Sequence, residues 1–444
     1  MISRLLTASL SLLCLCGSPF LHAAEPETVS LQFANALTAP APAAGTTANS
    51  EGASTPVTTE LPQRTPINTG AHAKASSDLW DRIRKGFGIP NLVDNPNVDR
   101  HIAAFQARPQ AITNLMERGS KYLYHIVSEL EARGMPTELA LLPLVESAYN
   151  PMAFSPAKAA GLWQFIPSTG RDFRLQQNWW VDERRDVLAS TAAALTYLQA
   201  VYELQGDWHL ALASYNWGEN AVLRAVNSNR NAGRPTDYNS LRMPKETAQY
   251  VPKLQAVKMI VANPERYGLR LPPIPDEPYF VTVERDQGMD VALAAKFAEM
   301  PLNEFLALNP AYNRPIIPGN HDADLILPVD NARKFSENFA AHGGPLLSWK
   351  TYSLPRGARV EQVAQSLKLS PDALRSANGL PPRAKLAAGY TLLVPHATDI
   401  TAPIETAETS KPGVQNKSSS RAPSPALNKA AARAPAKKTP TRRG

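Results

Sequence analysis

From Leu79 to Gly268 the large apolar residues recur at helical spacing, and no stretch alternates apolar with polar long enough to make a half-buried strand. Helices patterned this way bury their stripes only by packing on one another, which restricts this part of the chain to an all-α domain. The stops are written in the sequence. Ile102, Phe105, Leu115, Tyr122, Leu123, Ile126, Val127 and Leu130 run up to Arg133-Gly134-Met135-Pro136, a cationic last turn followed by Gly and Pro. Further helices are predicted over Thr137–Glu146, ended by Asn150-Pro151; Leu188–Leu204, ended by Gly206-Asp207; Trp208–Val226, broken at Trp217-Gly218; and Lys245–Ala262, ended by Asn263-Pro264. This divides the region into a helical extension over 78–135 and a helical domain over 136–270.

After the joint Leu271-Pro-Pro-Ile-Pro-Asp-Glu-Pro278 the texture changes. Tyr279–Glu284 reads as a strand, Val291–Phe297 and Leu302–Pro310 as short helices, and Asp324–Val329 as a second strand. The same order returns at Tyr352–Gly357, Val360–Leu367, Ser370–Leu380 and Thr391–Pro395. Two βααβ units, over 279–331 and 350–396, therefore form an internal repeat.

With 40 prolines against 23 glycines, linkers are expected outside these domains. Residues 25–77 are mostly Thr, Ala, Pro and Ser, too poor in large apolar groups to order themselves, and 397–444 have the same character with added Lys and Arg. That tail holds nine basic and three acidic residues, so it carries six of the seven net positive charges. The folded part is close to neutral, which argues against nucleic acid as a partner.

The start of the chain reads as a secretory signal over 1–24: Arg4, an apolar run Leu5–Leu15, then Ala23-Ala24 as the cleavage region. The run is shorter than the ~20 residues a membrane span requires. An exported protein of the periplasm or cell envelope is expected. Cys14 and Cys16 are the only cysteines, so a chain cut at Ala24 has no thiol for disulfides, cysteine zinc sites or nucleophilic catalysis. Acylation of Cys16 would anchor the protein to a membrane, but Leu15 stands where a lipoprotein signal takes a small residue.

Glu146 is the outstanding candidate for chemistry. It follows Leu139, Leu141, Leu142, Leu144 and Val145 on a predicted helix, so its carboxylate is expected to meet apolar surroundings and its pKa to rise. A carboxyl protonated near neutral pH is what acid-catalysed cleavage of a glycosidic bond needs. A solvated glutamate at the end of an amphipathic helix is the plainer alternative.

The residues downstream favour chemistry. Glu146-Ser-Ala-Tyr-Asn-Pro151 is followed by Ser155, Gly161-Leu-Trp-Gln164, Ala213-Ser-Tyr-Asn-Trp-Gly218 and Glu246-Thr-Ala-Gln-Tyr-Val-Pro252. In this order the blocks resemble the lysozyme-like domain of soluble-type lytic transglycosylases, over about 136–268. The stretch Arg184-Arg185-Asp186-Val-Leu-Ala-Ser-Thr191 and the helices before Pro136 resemble the membrane-bound murein transglycosylase D branch. Trp163 stands where the family usually has Met, a change expected to reshape the glycan groove, and Ser214 where it has Ala.

The resemblance implies a mainly α, lysozyme-like catalytic domain acting on peptidoglycan glycan strands with no metal and no cofactor. Glu146 matches the family's sole catalytic acid/base. Ser155, Gln164, Tyr215 and Asn216 match positions lining the sugar cleft, and Glu246 and Tyr250 match the later helix that closes it. Asp172, Asp182, Glu183 and Asp186 are the other acidic candidates, but the motif gives them no role, and Arg184 and Arg185 beside them suggest a structural ion-pair patch. The implied reaction cleaves the MurNAc-(β1,4)-GlcNAc bond and closes a 1,6-anhydro ring. A muramidase using water at the same Glu146 and an inactive wall-binding scaffold are the alternatives.

The second βααβ unit resembles a LysM module, with Tyr352-Ser-Leu-Pro-Arg356-Gly357, Asn378-Gly379-Leu380 and Leu393-Val-Pro395 as its landmarks. The resemblance makes Arg356, Gly357, Asn378, Gly379 and Leu380 candidate glycan contacts. Ala358 and Arg359-Val360 replace the Asp and the Thr-Leu pair preferred by the family, which leaves glycan binding open. The first unit is LysM-like but more degenerate, keeping Asp286-Gln-Gly288 and Asn309-Pro310.

Overall fold

The computed structural model describes residues 78–319 and 324–396. They fall into two compact units divided between Trp349 and Lys350. The expected signal, tether, Cys16 and basic tail lie outside the described residues.

Nine helices over the described part of 78–270 build the first layer: α1 Leu79–Lys85, α2 Pro96–Gln106, α3 Pro109–Ala132, α4 Leu142–Ser147, α5 Pro167–Asp172, α6 Val187–Gln205, α7 Trp208–Trp217, α8 Glu219–Asn231 and α9 Thr247–Ala262. Their ends follow local chemistry. Asp78, Asp186 and Asp207 accept from backbone N–H groups in the first turns of α1, α6 and α7. Gly206, at φ 68°, and Gly218, at φ 90°, end α6 and α7 in backbone conformations that favour glycine.

The stretch expected as one helix over Thr137–Glu146 is a 3-10 turn, Thr137–Leu141, leading into the six-residue α4. Pro143 has no N–H to give the Leu139 carbonyl, so the chain winds into α4 through the tighter turn. Pro252 interrupts the ladder of α9 in the same way, and the Asn97 side chain on α2 donates to the freed Ala248 carbonyl at 3.4 Å.

The helical extension shares one core with the domain that follows it. Leu79 and Trp80 are buried in the same cluster as Leu123, Leu139, Trp163, Leu198 and Leu254. Glu138 and Lys258, both buried, pair at 3.2 Å, and Glu138 also accepts from Gly88 N at 2.9 Å and Ile89 N at 2.8 Å. A buried carboxylate so fully partnered fixes the position of the extension on α9.

The first repeat unit comprises β1 Phe280–Val283, β2 Met289–Asp290, α10 Val291–Phe297, α11 Leu302–Leu308, β3 Ile316–Ile317 and β4 Leu325–Pro328. β1 pairs antiparallel with β4, Phe280 opposite Pro328 and Val283 opposite Leu325, and β2 pairs with β3. The inner two-residue ladder adds to the βααβ pattern read from sequence. Helix α12, Val329–Ala340, was not expected; its Phe335 and Phe339 pack on Phe297, extending the unit's core past residue 331.

The second unit repeats the plan with β5 Trp349–Ser353, β6 Ala358–Arg359, α13 Val360–Ser366, α14 Pro371–Asn378, β7 Lys385–Leu386 and β8 Thr391–Pro395, pairing β5 with β8 and β6 with β7. The two units carry the same polar lock. Asn309 accepts from Ile326 N and donates to Ile326 O, each at 2.9 Å. Asn378 does the same with Leu393, at 2.7 and 2.9 Å.

Candidate active site

Glu146 sits one residue before the end of α4, a helix short enough that its neighbours decide where the carboxylate points. Ala148 and Tyr149 turn left-handed, at φ 55° and 52°, and stop the helix there. Tyr149 drives this stop. Its ring is fully buried against Gly119 of α3, where a Cβ would come within 2.6 Å of Cε2, and its hydroxyl donates to Ala140 O at 2.8 Å. Ser147 donates to Leu162 O at 2.9 Å, tying α4 to the following loop.

The Glu146 carboxylate is partly buried and accepts a hydrogen bond from the Tyr250 hydroxyl. Desolvation raises its pKa to about 7, and nearby Glu246 pushes the same way, against the opposing effects of the Tyr250 bond and the Lys253 ammonium. Lys253 lies on α9 and donates to Val145 O at 3.4 Å; burial lowers its own pKa. The Tyr250 and Tyr215 phenols are held well above their ordinary pKa, by burial first and then by the Glu146 charge. Both therefore stay protonated donors wherever Glu146 titrates.

Tyr215 donates to Trp163 O at 2.9 Å, which seats α7 on the Gly161–Gln164 turn. Asn216 accepts from Thr247 Oγ1 at 2.8 Å and donates to Glu246 Oε1 at 3.5 Å. Glu146, Tyr250, Tyr215, Asn216 and Glu246 are thus linked through α4, α7 and the start of α9. Ser155 and Gln164 make their hydrogen bonds within their own loop instead. Ser155 Oγ accepts from Ala159 N at 3.0 Å, and Gln164, at φ 51°, donates to Gly161 O at 2.8 Å.

Trp163 does not shape the groove with its side chain, contrary to the expectation from sequence. Its indole is fully buried and donates to Thr191 Oγ1 at 3.0 Å. The polar Thr191 one turn into α6 satisfies the indole N–H, so Trp is accommodated in the core where a smaller apolar residue is usual.

The other acidic candidates are occupied structurally, apart from exposed Asp172. Asp182 pairs with Arg184 at 2.7 Å, Glu183 accepts from Gln176 N at 2.7 Å, and Asp186 caps α6. Arg184, nearly buried, also donates to Lys158 O at 2.6 Å and Phe165 O at 3.0 Å, closing the loop that carries Ser155 and Gln164. Gly161 is obligatory there: at φ 85°, a Cβ would lie 1.9 Å from Arg184 O. Sequence reasoning missed Lys253 as a neighbour of Glu146, although it stands one helical turn beyond Tyr250, and missed Arg184 as the loop's clamp. Among the described residues, no group of three or more His, Cys, Asp or Glu side chains is placed to hold a metal ion.

In the second LysM-like unit, Arg356 and Gly357 are exposed in the turn between β5 and β6. Asn378 corrects an expectation: it is a fold lock rather than a glycan contact, because its amide is buried and spent on Leu374 and Leu393 backbone groups. Gly379, at φ 58°, ends α14, and the partly buried Leu380 donates its N–H to Arg375 O at 3.0 Å.

The transglycosylase SLT domain model matches residues 123–237, and the model for the lytic transglycosylase MltD LysM-like domain matches 279–343. The SLT match thus ends before Glu246 and Tyr250, which the fold returns to Glu146 from α9. Membrane-bound lytic murein transglycosylase D of Escherichia coli K12 is 33% identical over 345 residues, covering 74% of this chain and 75% of the relative. A putative tributyltin chloride resistance protein of Alteromonas sp. M-1 is 44% identical over 119 residues, 27% of this chain and 58% of that protein. Membrane-bound lytic murein transglycosylase C of Glaesserella parasuis is 26% identical over 144 residues, 29% and 40% of the respective lengths. A lysozyme-like helical body, a LysM-like unit after it and a match across three quarters of a relative's length agree, and the chain belongs to the lytic murein transglycosylase D family.

Proposed function

We propose that the protein is a peptidoglycan lytic transglycosylase in which Glu146 alone performs both proton transfers. The observation carrying this is a carboxyl with a pKa of about 7, bonded to the neutral Tyr250 phenol, while Asp182, Glu183 and Asp186 are held by structural partners, Asp172 is exposed, and the neighbouring Glu246 accepts from Asn216. Two-carboxylate glycosidases need a second such group as nucleophile or as base for water.

The protonated Glu146 gives its hydrogen to the oxygen leaving C1 of N-acetylmuramic acid. The C1–O bond breaks, and the sugar's 2-acetamido group stabilises the cationic carbon. Glu146, now a carboxylate steadied by Tyr250, takes the proton of the same sugar's C6 hydroxyl as O6 bonds to C1. The released chain carries the first proton, the product is a 1,6-anhydro end, and no water is consumed. An internal nucleophile already in place has a large effective-molarity advantage over one from outside. Ser155, Gln164, Tyr215, Asn216 and Glu246 shape and orient the sugar cleft around this group.

The activity belongs to cell-wall turnover or remodelling. Export rests on the Arg4, Leu5–Leu15 and Ala23-Ala24 pattern, and envelope residence is in keeping with relatives described as membrane-bound. No described helix is long and apolar enough to cross a membrane. An intact mass of the exported protein distinguishes a cleaved signal from acylation at Cys16. For the activity itself, purified sacculi digested by the wild type should yield anhydro-ended fragments and gain no reducing ends. Glu146→Gln should release almost nothing; undiminished lysis by that variant would remove Glu146 from the mechanism.

A further inference from the structure

Residues 176–185 lie between the helical body and the first LysM-like unit and are bonded to both. On one side Val181 is buried in the core of the LysM-like unit and pairs with Tyr312 in a β-bridge. Asp182 N donates to Ala311 O at 2.9 Å, and Asn313 N donates to Trp180 O at 2.8 Å. Arg185 Nη2 donates to Ala311 O at 2.9 Å and to Asn313 Oδ1 at 2.6 Å, while Asn313 Nδ2 donates to Asn178 O at 2.9 Å. Nearby, Tyr122 of α3 donates to Ala307 O at 2.8 Å, a second tie between the two parts.

On the other side the same segment grips the loop that carries Ser155 and Gln164. Arg184 reaches the Lys158 and Phe165 carbonyls and Asp182, Gln177 Nε2 donates to Pro167 O at 2.9 Å, and the Arg184 carbonyl packs on Gly161. Adjacent arginines thus face opposite partners: Arg184 the cleft loop, Arg185 the LysM-like unit.

We propose that the first LysM-like unit is a fixed wall of the catalytic body, and that Arg185 and Asn313 are positioning residues for the transglycosylase reaction, acting through Arg184 on the 153–165 loop. The inference rests on that loop being a wall of the sugar cleft, as the proposed function has it. Physically, backbone pairing and buried side chains make the contact rigid, so a shift at Ala311–Asn313 is passed to the loop. A displacement near 1 Å at a positioning group can cost as much as ~100-fold in rate. A tethered binding module would behave differently: it would change the capture of long glycan strands and leave the chemical step alone.

The test uses the full-length protein and a short soluble murein glycan of a few disaccharides, followed by single-turnover and steady-state kinetics. Arg185→Ala and Asn313→Ala should each lower kcat about tenfold and change KM less than about twofold, with the folded fraction intact by circular dichroism. Arg185→Lys, which keeps a donor for Ala311 O, should recover most of the loss. Unchanged kcat in both alanine variants overturns the proposal, as does a loss confined to KM or one that merely tracks the unfolded fraction. Glu146→Gln run beside them separates the two ideas. An active Glu146→Gln defeats the acid/base assignment, whereas an inactive one beside normal Arg185→Ala and Asn313→Ala defeats only the coupling.

Discussion

The Tyr250 phenol and the Glu146 carboxylate, 104 residues apart in sequence, meet in a hydrogen bond across the junction of α9 and α4. The bond favours the charged carboxylate and so opposes the desolvation that raises the Glu146 pKa to about 7. Tyr250→Phe removes that opposition. Activity requires the protonated acid first, so the alkaline limb of the kcat–pH profile should move to higher pH. A hydrogen bond to a charged group is worth about 1.5–3 kcal/mol, which converts to a loss of about ten- to hundredfold in kcat if it acts on the carboxylate formed during turnover.

The charges of Glu246 and Lys253 act on Glu146 with opposite signs. Glu246→Gln should lower the Glu146 pKa and bring the alkaline limb to lower pH. Lys253→Met should do the reverse. Measuring both limbs on one short glycan checks the two signs against each other, and movement in the same direction would refute this electrostatic account.

The same group sets a pH-dependent stability. Folded Glu146 holds its proton more tightly than an ordinary carboxyl of pKa 4.5, so its stabilising contribution is complete below that pH and is lost as pH rises through about 7. Glu146→Gln should therefore be more stable than wild type at pH 8, by about 3 kcal/mol on the basis of 1.36 kcal/mol per pKa unit, with the gain fading toward pH 4. Urea unfolding at the two pH values measures it.

Arg184 is 6% exposed in its side chain and serves Asp182 and two loop carbonyls at once. Arg184→Ala leaves a mostly buried carboxylate and two acceptors without their partner, a loss expected to cost about 3–5 kcal/mol. Thermal unfolding should show it, with hydrogen exchange rising first across 153–165.

Local rules carried much of this fold. The Gly206 and Gly218 stops are short-range features, and the apolar run Leu139–Val145 already pointed to the raised pKa at Glu146, whereas Asp186, read as part of an ion-pair patch, is the cap of α6. The repeat was legible because the βααβ order recurs with Asn309 and Asn378 at matching places, although Asn378 was read as a candidate glycan contact and its buried amide, like that of Asn309, bonds the last strand of its unit. What escaped depends on long-range geometry. Nothing near Trp163 announces Thr191, nothing near Arg184 announces Lys158 O, and Lys253 gains meaning only once α9 crosses α4. Helix α12 was missable for another reason. Its apolar Ala332, Phe335 and Phe339 are spaced for a helix but follow directly on a strand ending at Pro328.

The central claim is that one carboxyl completes the reaction without water, and digestion in oxygen-18 water tests it most directly. With purified sacculi, the account predicts muramic ends that carry no heavy oxygen and weigh one water less than hydrolysed ends, and none formed by Glu146→Gln. Heavy oxygen at the new muramic ends would contradict it.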